Sequence, residues 1–385
     1  MSSPIQPRPF TSYYVSPPAG VDTVQLSEQA TPKLLWLILG GTADIPERGR
    51  ALFPKPLANQ NALWRDFHNY VRQARAYWNA GEVTRGSSAS LLYYYCFLNL
   101  AKAELLTTSP GLISGQTIRH GLSFNPTHAQ SIKGDTLKVT YGVFPHLYRE
   151  RTGISLPNGT MLSVPRLFSL VREVGLELTG VGISKPVTRS GYHAVVADAV
   201  AGWPLVLFLE NGLKQASSEP MVRTFRRHFV PIESTNMSAP WRDTFAISRR
   251  RTGVQMEVYQ SKKTFSLKSN GLDLPDNHGA SSFLREAMHP YVGDGITENV
   301  DFTLSPSLLK SRALPLPPDL ARYALMYYAS SLVRYKPAAL DPVRQASQAW
   351  LLDSFTRETP IFLLGNALAG IQNHQLTFET AGFRT

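Results

Sequence analysis

A chain of 385 residues, 43% of them hydrophobic, is long enough to bury a sizeable core and suggests two or three domains. Its 39 Lys and Arg against 28 Asp and Glu leave a net charge of +11, which invites a polyanion as partner. The single cysteine, Cys96, excludes an internal disulfide and any cysteine-cluster zinc site.

The opening stretch MSSPIQPRPF lacks the apolar segment of a secretory leader, and LLWLILGG at 34–41 is too short to span a bilayer. A cytoplasmic protein with no membrane contact is the expectation. Residues 1–30, rich in Pro, Ser and Gln, read as an extended arm. Thr31 to Gly41 reads as a short helix ending at the Gly40–Gly41 pair. From Asn61 to Ala80, apolar residues recur at Leu63, Trp64, Phe67, Tyr70, Val71, Ala74, Tyr77 and Trp78. That is the spacing of an amphipathic helix, with Gly81 as its stop and Arg65, His68, Asn69, Arg72 and Arg75 on its polar face.

The next stretch, Ser87 to Leu106, has no Gly, Pro or β-branched residue. Its apolar side chains cover most of the circumference, so it reads as a helix buried at the centre of a helical core. Cys96 sits in it, which makes an inert core thiol of that residue. The preceding helix pairs with it in antiparallel fashion. A loop follows from Thr107 to Ile118, then a strand from Thr136 to Phe144 and a short helix from Pro165 to Val174.

Near Thr188 the composition shifts. His193 to Ala199, Leu205 to Glu210, Phe225 to Ile232, Thr244 to Ser248, Val254 to Tyr259 and Thr264 to Leu267 are β-rich runs separated by turn residues, as expected of an antiparallel sheet. Residues 268–318, rich in Gly, Asn, Asp and Pro, read as an irregular loop. Three helices close the chain: Leu320 to Tyr335 behind a cap at Asp319, one from Asp341-Pro342 to about Phe355, and IFLLGNALAGI behind Thr359-Pro360. The expected fold class is α+β. A mainly helical core made of residues 31–180 and 319–373 is interrupted by a β-rich basic insert with its irregular loop over 185–318.

Charge is concentrated in that insert. Between Lys214 and Lys268 there are eleven basic residues against four acids, among them Arg223, Arg226, Arg227, Arg242, Arg249, Arg250, Arg251, Lys262 and Lys263. Phe225, Phe229, Trp241, Phe245, Tyr259 and Phe265 are interleaved with them. Cations that track a backbone beside aromatic platforms suit single-stranded nucleic acid, RNA or single-stranded DNA. The bland account of the same residues is a half-buried sheet with a solvated basic face.

A second constellation is Arg119-His120, with Arg65, His68 and Arg72 on the amphipathic helix. An imidazole that moves a proton and a guanidinium that steadies a phosphorane can cleave RNA without metal. On the residues alone, a structural His120 is the preferred account. His193, Asp198 and Glu210 are a poor metal set, because a carboxylate nuclease places a Lys close behind its second acid and Lys214 is four residues beyond Glu210. Arg223 and His228 stand at an Arg-x4-His spacing inside an expected strand, which marks the match as chance. No phosphate-binding loop, dinucleotide fingerprint or HExxH motif occurs, and neither a metal nor a cofactor is expected.

The stretches SASLLYYYCFLNLAKAELL, HGLSF, YGVFPHLYRERTG, LARYALMYYASSLVRYKPAAL and FLLGNALAGI, in this order, resemble the YaaC-like protein family. The resemblance covers most of the chain apart from roughly 185–310, and it implies a helical core without an established activity. More remotely, the paired helices followed by His-Gly-Leu resemble HEPN domains, helical modules of bacterial toxin and antiphage systems. Many HEPN domains are metal-independent ribonucleases that act as dimers, with an Arg four to six residues before a His at the start of a late helix. His120 takes the place of that His, whereas Ile113, Ser114 and Gly115 stand where the Arg belongs and Arg119 is adjacent. The resemblance implies His120, Arg119 and Arg72 as catalytic candidates and a homodimer. The preferred reading is a nucleic-acid-binding component of a bacterial antiphage or stress system. A metal-independent endoribonuclease and a scaffold for a protein partner of a defence operon are the alternatives.

Overall fold

The computed structural model describes residues 11–14, 23–26, 31–53, 60–84, 86–113, 118–125, 132–195, 202–213, 219–233, 237, 239, 242–243, 245–246, 256–265, 277–293, 302–309, 312–341, 345–373 and 375–379. Two short strands, β1 (Thr11–Tyr14) and β2 (Thr23–Leu26), lie within the expected arm. Helix α1 (Pro32–Asp44) starts at a Thr31 cap, whose hydroxyl accepts the Leu34 N–H at 3.2 Å. It runs straight through Gly40 and Gly41. What stops it is Ile45, held extended by the Pro46 that follows it and opens α2 (Pro46–Ala51).

The long helix α3 (Gln60–Val83) likewise passes Gly81. That glycine serves helix contact rather than termination, since a Cβ there would sit 2.9 Å from the Tyr93 ring. Tyr93 belongs to α4 (Ala89–Thr108), the central helix. The pair is antiparallel: Gly81 meets Tyr93, Trp78 meets Phe97, and Tyr70 lies under Lys102. From Ala89 to Thr107 no α4 residue is fully exposed, as an all-round apolar helix requires. The expected loop after it contains a short helix, α5 (Pro110–Ile113).

A small antiparallel sheet follows. Strand β3 (His120–Ser123) pairs with β4 (Thr136–Gly142), which leads directly into α6 (Val143–Thr152) and pairs on its other side with β5 (Met161–Ser163). His120 stands opposite Gly142. Both Gly121 (φ +85°) and Gly142 (φ +149°) hold positive φ, and a Cβ on Gly142 would overlap the Arg119 carbonyl. Helices α7 (Val164–Phe168) and α8 (Gly175–Gly180), with a 3-10 turn at Arg172–Val174 between them, complete this half.

The insert is built on a six-stranded sheet. Its strands begin with β6 (Arg189–Val195) and β7 (Pro204–Glu210). Helix α9 (Pro220–His228) then occupies part of the expected strand, and β8 (Phe229–Ile232) starts only after it. Strand β9 (Met256–Thr264) follows. The expected irregular region contains α10 (Asn277–Met288), β10 (Val292–Gly293), β11 (Phe302–Leu304), β12 (Ser307–Leu309) and β13 (Arg312–Pro315). The sheet order is β10-β11-β6-β7-β9-β8, antiparallel throughout. The apolar run of β7 is explained by burial on both faces: Leu205, Leu207 and Leu209 pack toward α9 and α10, while Val206 and Phe208 meet Met256 and Val258.

The chain returns to helices with α11 (Pro318–Tyr335), α12 (Ala346–Glu358) and α13 (Pro360–Gln372). Strand β14 (Gln375–Glu379) then pairs with both β1 and β2. One hydrophobic cluster takes residues from Leu35 to Leu178 and from Leu308 to Ile371, whereas the insert sheet has two of its own. The α+β class is therefore met by a helical core with a separate sheet.

Charged groups tie these parts together. The Arg151 guanidinium (α6) bonds Glu104 of α4 at 3.0 and 2.5 Å, pairs with Asp319 of α11 and reaches the Asn366 carbonyl of α13. Arg322 of α11 forms a two-bond pair with Glu173, both at 2.8 Å, and Glu173 also accepts the Thr359 hydroxyl. The insert is joined to the core by Arg166 donating to the Ser307 carbonyl at 3.1 Å and by Tyr148 donating to the Pro315 carbonyl at 2.7 Å. Among the described residues no helix is long and apolar enough to cross a membrane.

Candidate nucleic-acid interface

Helix α9 explains how the insert displays its charge. Pro220 opens it at a position where a missing N–H costs nothing. Met221, Val222 and Phe225 then fall on one stripe and are buried, while Arg223, Arg226 and Arg227 fall on the other side and are exposed. The buried stripe is anchored by aromatic contacts. The Phe225 ring stacks on Phe229 at 4.7 Å and meets Tyr259 edge-on at 4.9 Å. Such packing fixes the rotation of the helix, and with it the face on which the arginines stand.

The C-terminal end of α9 is joined to the end of β9. Lys262 donates from Nζ to the Arg226 carbonyl at 2.8 Å, which satisfies an orphan carbonyl at the negative pole of the helix. Beside it, the Lys263 ammonium lies 5.6 Å from the Phe265 ring centre and 5.3 Å from that of Phe283. His228 touches the Phe283 ring edge-on at 6.0 Å. Phe265, Phe283 and His228 are all half-buried. The three arginines on the exposed side of α9 are thus joined through Lys262 to the end of β9, where Lys263 lies against the half-buried rings of Phe265 and Phe283.

Two acids near this face hold hydrogen bonds within the insert and to its edge. Glu257 accepts from the Leu213 N–H at 2.8 Å and from the Tyr259 hydroxyl at 2.5 Å, and Glu219 accepts from the Ser307 N–H. Among the described residues neither Arg226 nor Arg227 has an ion-pair partner. Arg249, Arg250 and Arg251, along with Lys214, Trp241 and Asp198, lie outside the described residues. Arg223 and His228, expected in a strand, lie near opposite ends of α9.

The His120 constellation is found elsewhere, in the helical core. His120 is a β-strand residue, not one at the start of a helix as the HEPN comparison implies. Its Nδ1 accepts the Leu122 N–H at 3.3 Å across Gly121, which leaves the ring proton on Nε2. Its ring rests on Tyr327 of α11 at 5.0 Å. Burial, then the guanidinium of Arg334 and to a smaller degree that of Arg119, holds the imidazole below its ordinary range and hence neutral at pH 7. Arg119 itself is exposed. Arg72 is exposed on α3, on the flank where His68 bonds Asp44 of α1 at 3.1 Å. Among the described residues no contact joins Arg72 to His120. The cation that does act on His120, Arg334, has a plain sequence position: it follows Tyr327 by two helical turns and shares its face.

Of the weaker metal set, Asp198 lies outside the described residues. His193 stands opposite Leu207 in the sheet, and Glu210 lies 3.9 Å from Arg172. No group of three metal-ligating side chains occurs among the described residues. Cys96 is buried, and burial pushes its thiol well above the ordinary range, which keeps it unreactive.

No curated protein and no solved structure matches this chain. A family model described as YaaC-like Protein matches residues 54–364, a span that holds α3, α4, the whole insert and α11 and ends within α13. The chain belongs to the YaaC-like protein family.

Proposed function

We propose that this protein binds single-stranded nucleic acid on the basic face formed by α9 and the end of β9. The observation that carries this reading is the register of α9. Three arginines share its exposed side, with Lys262, Lys263 and the half-open rings of Phe265 and Phe283 at its end. Guanidinium groups neutralise successive phosphates, and open aromatic faces accept unstacked bases, which a duplex does not offer. Cations and aromatic rings attract any strand, so binding is expected to depend on charge and strandedness more than on sequence.

The test is a salt series. Binding of a labelled single-stranded oligonucleotide is followed by fluorescence anisotropy for the wild type and for Arg223→Gln/Arg226→Gln/Arg227→Gln. Each lost phosphate contact lowers the slope of log affinity against log salt by ~0.7 for a single strand, so the triple variant should lose up to about two units. An unchanged slope and affinity in a folded triple variant would place binding elsewhere or nowhere.

A further inference from the structure

Arg334 lies in the last turn of α11 and is half-buried. Its guanidinium folds back along its own helix, donating from Nε to the Ser330 carbonyl at 3.3 Å and from Nη2 to the Ser331 hydroxyl at 3.4 Å. Both bonds are long and both acceptors are neutral. Among the described residues no carboxylate pairs with it. A guanidinium has five donors, and a partly buried one without a counter-ion is costly unless an anion arrives. The Arg334 guanidinium also lies 5.0 Å from the ring centre of the neighbouring Tyr335, its charge is felt at Tyr327, two turns earlier on the same face, and His120 packs on the ring of Tyr327.

His120 supplies the complementary donor. With Nδ1 engaged by the Leu122 N–H, its Nε2 carries a proton to give. Arg119, next in the chain and exposed, adds a second positive charge that is felt at His120. Behind Tyr327 lies a buried layer of tyrosines: Tyr94 meets Tyr327 at 5.4 Å and Tyr323 at 6.2 Å, and the Tyr94 and Tyr323 hydroxyls are buried without a hydrogen-bond partner of good geometry among the described residues. Such a buried aromatic backing lowers the local dielectric and strengthens the attraction between these cations and an anion that binds against it.

We propose that His120, Arg334 and Arg119 form a binding site for a phosphate group. Phosphate fits better than carboxylate for two reasons. Its tetrahedral oxygens accept from the Arg334 fork and from His120 Nε2–H in different directions. Its double charge matches two cations, where a planar carboxylate would be satisfied by Arg334 alone. The site is on the helical core and does not depend on the basic face of the insert. The phosphate has two possible sources, a free anion or nucleotide and the end of an RNA strand.

The experiment uses the full chain carrying Arg226→Gln/Arg227→Gln, which weakens the other surface. Inorganic phosphate, AMP and one RNA decamer in 5′-phosphorylated and 5′-hydroxyl forms are titrated by 31P NMR and by thermal melting. Sodium acetate and chloride at matched ionic strength are the controls. Saturable binding of phosphate and AMP that acetate does not reproduce supports the site with a small anion as source. Preference for the phosphorylated decamer over its hydroxyl form supports it with a strand end as source. Arg334→Gln should weaken whichever is bound by roughly tenfold or more, and Arg334→Lys, which keeps the charge and loses the fork, should restore only part. Should Arg334→Gln not fold, His120→Asn is read instead, with the same expected loss. No saturable binding of any phosphate form, or equal binding in the folded variants, overturns the proposal.

Discussion

Arg151 is the residue whose loss should most plainly reveal how the helical core is assembled. It lies on α6, and its guanidinium bonds a carboxylate on α4, a carboxylate on α11 and a carbonyl on α13. The side chain of Glu104 is 2% exposed and that of Arg151 10%. Gly370 of α13 presses against the Glu104 carboxyl so closely that no side chain fits there. In Arg151→Met the Glu104 carboxyl therefore stays buried with no cation and no route to water. Removing one partner of such a pair costs about 3–5 kcal/mol. For a 385-residue chain unfolding with ~2.1 cal/mol/K per residue, that is a Tm lower by roughly 4–6 °C. Adding Glu104→Leu removes the more deeply buried of the two carboxylates that Arg151 served and fills a similar volume, so the double variant should melt above Arg151→Met. Circular dichroism melts and urea midpoints of wild type, both single variants and the double variant measure this. A melting temperature for Arg151→Met within a degree of wild type, or a double variant whose loss equals the two single losses added, refutes the reasoning.

Two further outcomes follow from other parts of the molecule. Burial lowers the affinity of His120, His146 and His289 for a proton, so the unfolded chain binds more protons than the native one below the ordinary histidine range. Their share of stability is complete above about pH 6.5 and is lost as pH falls through their lowered native values. NMR titration of the three imidazoles should give midpoints below that value, and a midpoint at or above it for His120 would contradict its packing. Gly142→Ala should cost more than the ~1 kcal/mol typical of a surface change, because a Cβ would meet the Arg119 carbonyl at a positive φ. Urea midpoints decide it, with Gly153→Ala, where a Cβ meets nothing within 4 Å, separating backbone strain from overlap.

The central helix could be read from its residues, because a twenty-residue run with apolar groups on all sides has no stable place except between other elements. The amphipathic partner, the terminal helices and the α+β class follow from the same periodicities, and the stretches that resemble YaaC-like proteins lie within the span the family model matches, except that the last of them, at 362–371, runs past its end at 364. Helix ends were less legible. Gly40, Gly41 and Gly81 look like stops, yet a glycine inside a helix costs only ~1 kcal/mol, and Gly81 returns that by letting α3 approach Tyr93. The stretch from Phe225 to Ile232 reads as one strand because its apolar residues are too few to separate periods of 2 and 3.6. Burial of Phe225 against Tyr259 on one side, and β9 as ladder partner for Phe229 onward, divides it into helix and strand. The excess of positive charge in the insert is visible from composition, but which cations share a face depends on that helical register. Arg334 is not singled out by the sequence, since its electrostatic influence on His120 joins positions more than two hundred residues apart, and only the packing of His120 on Tyr327 of α11 brings them near each other.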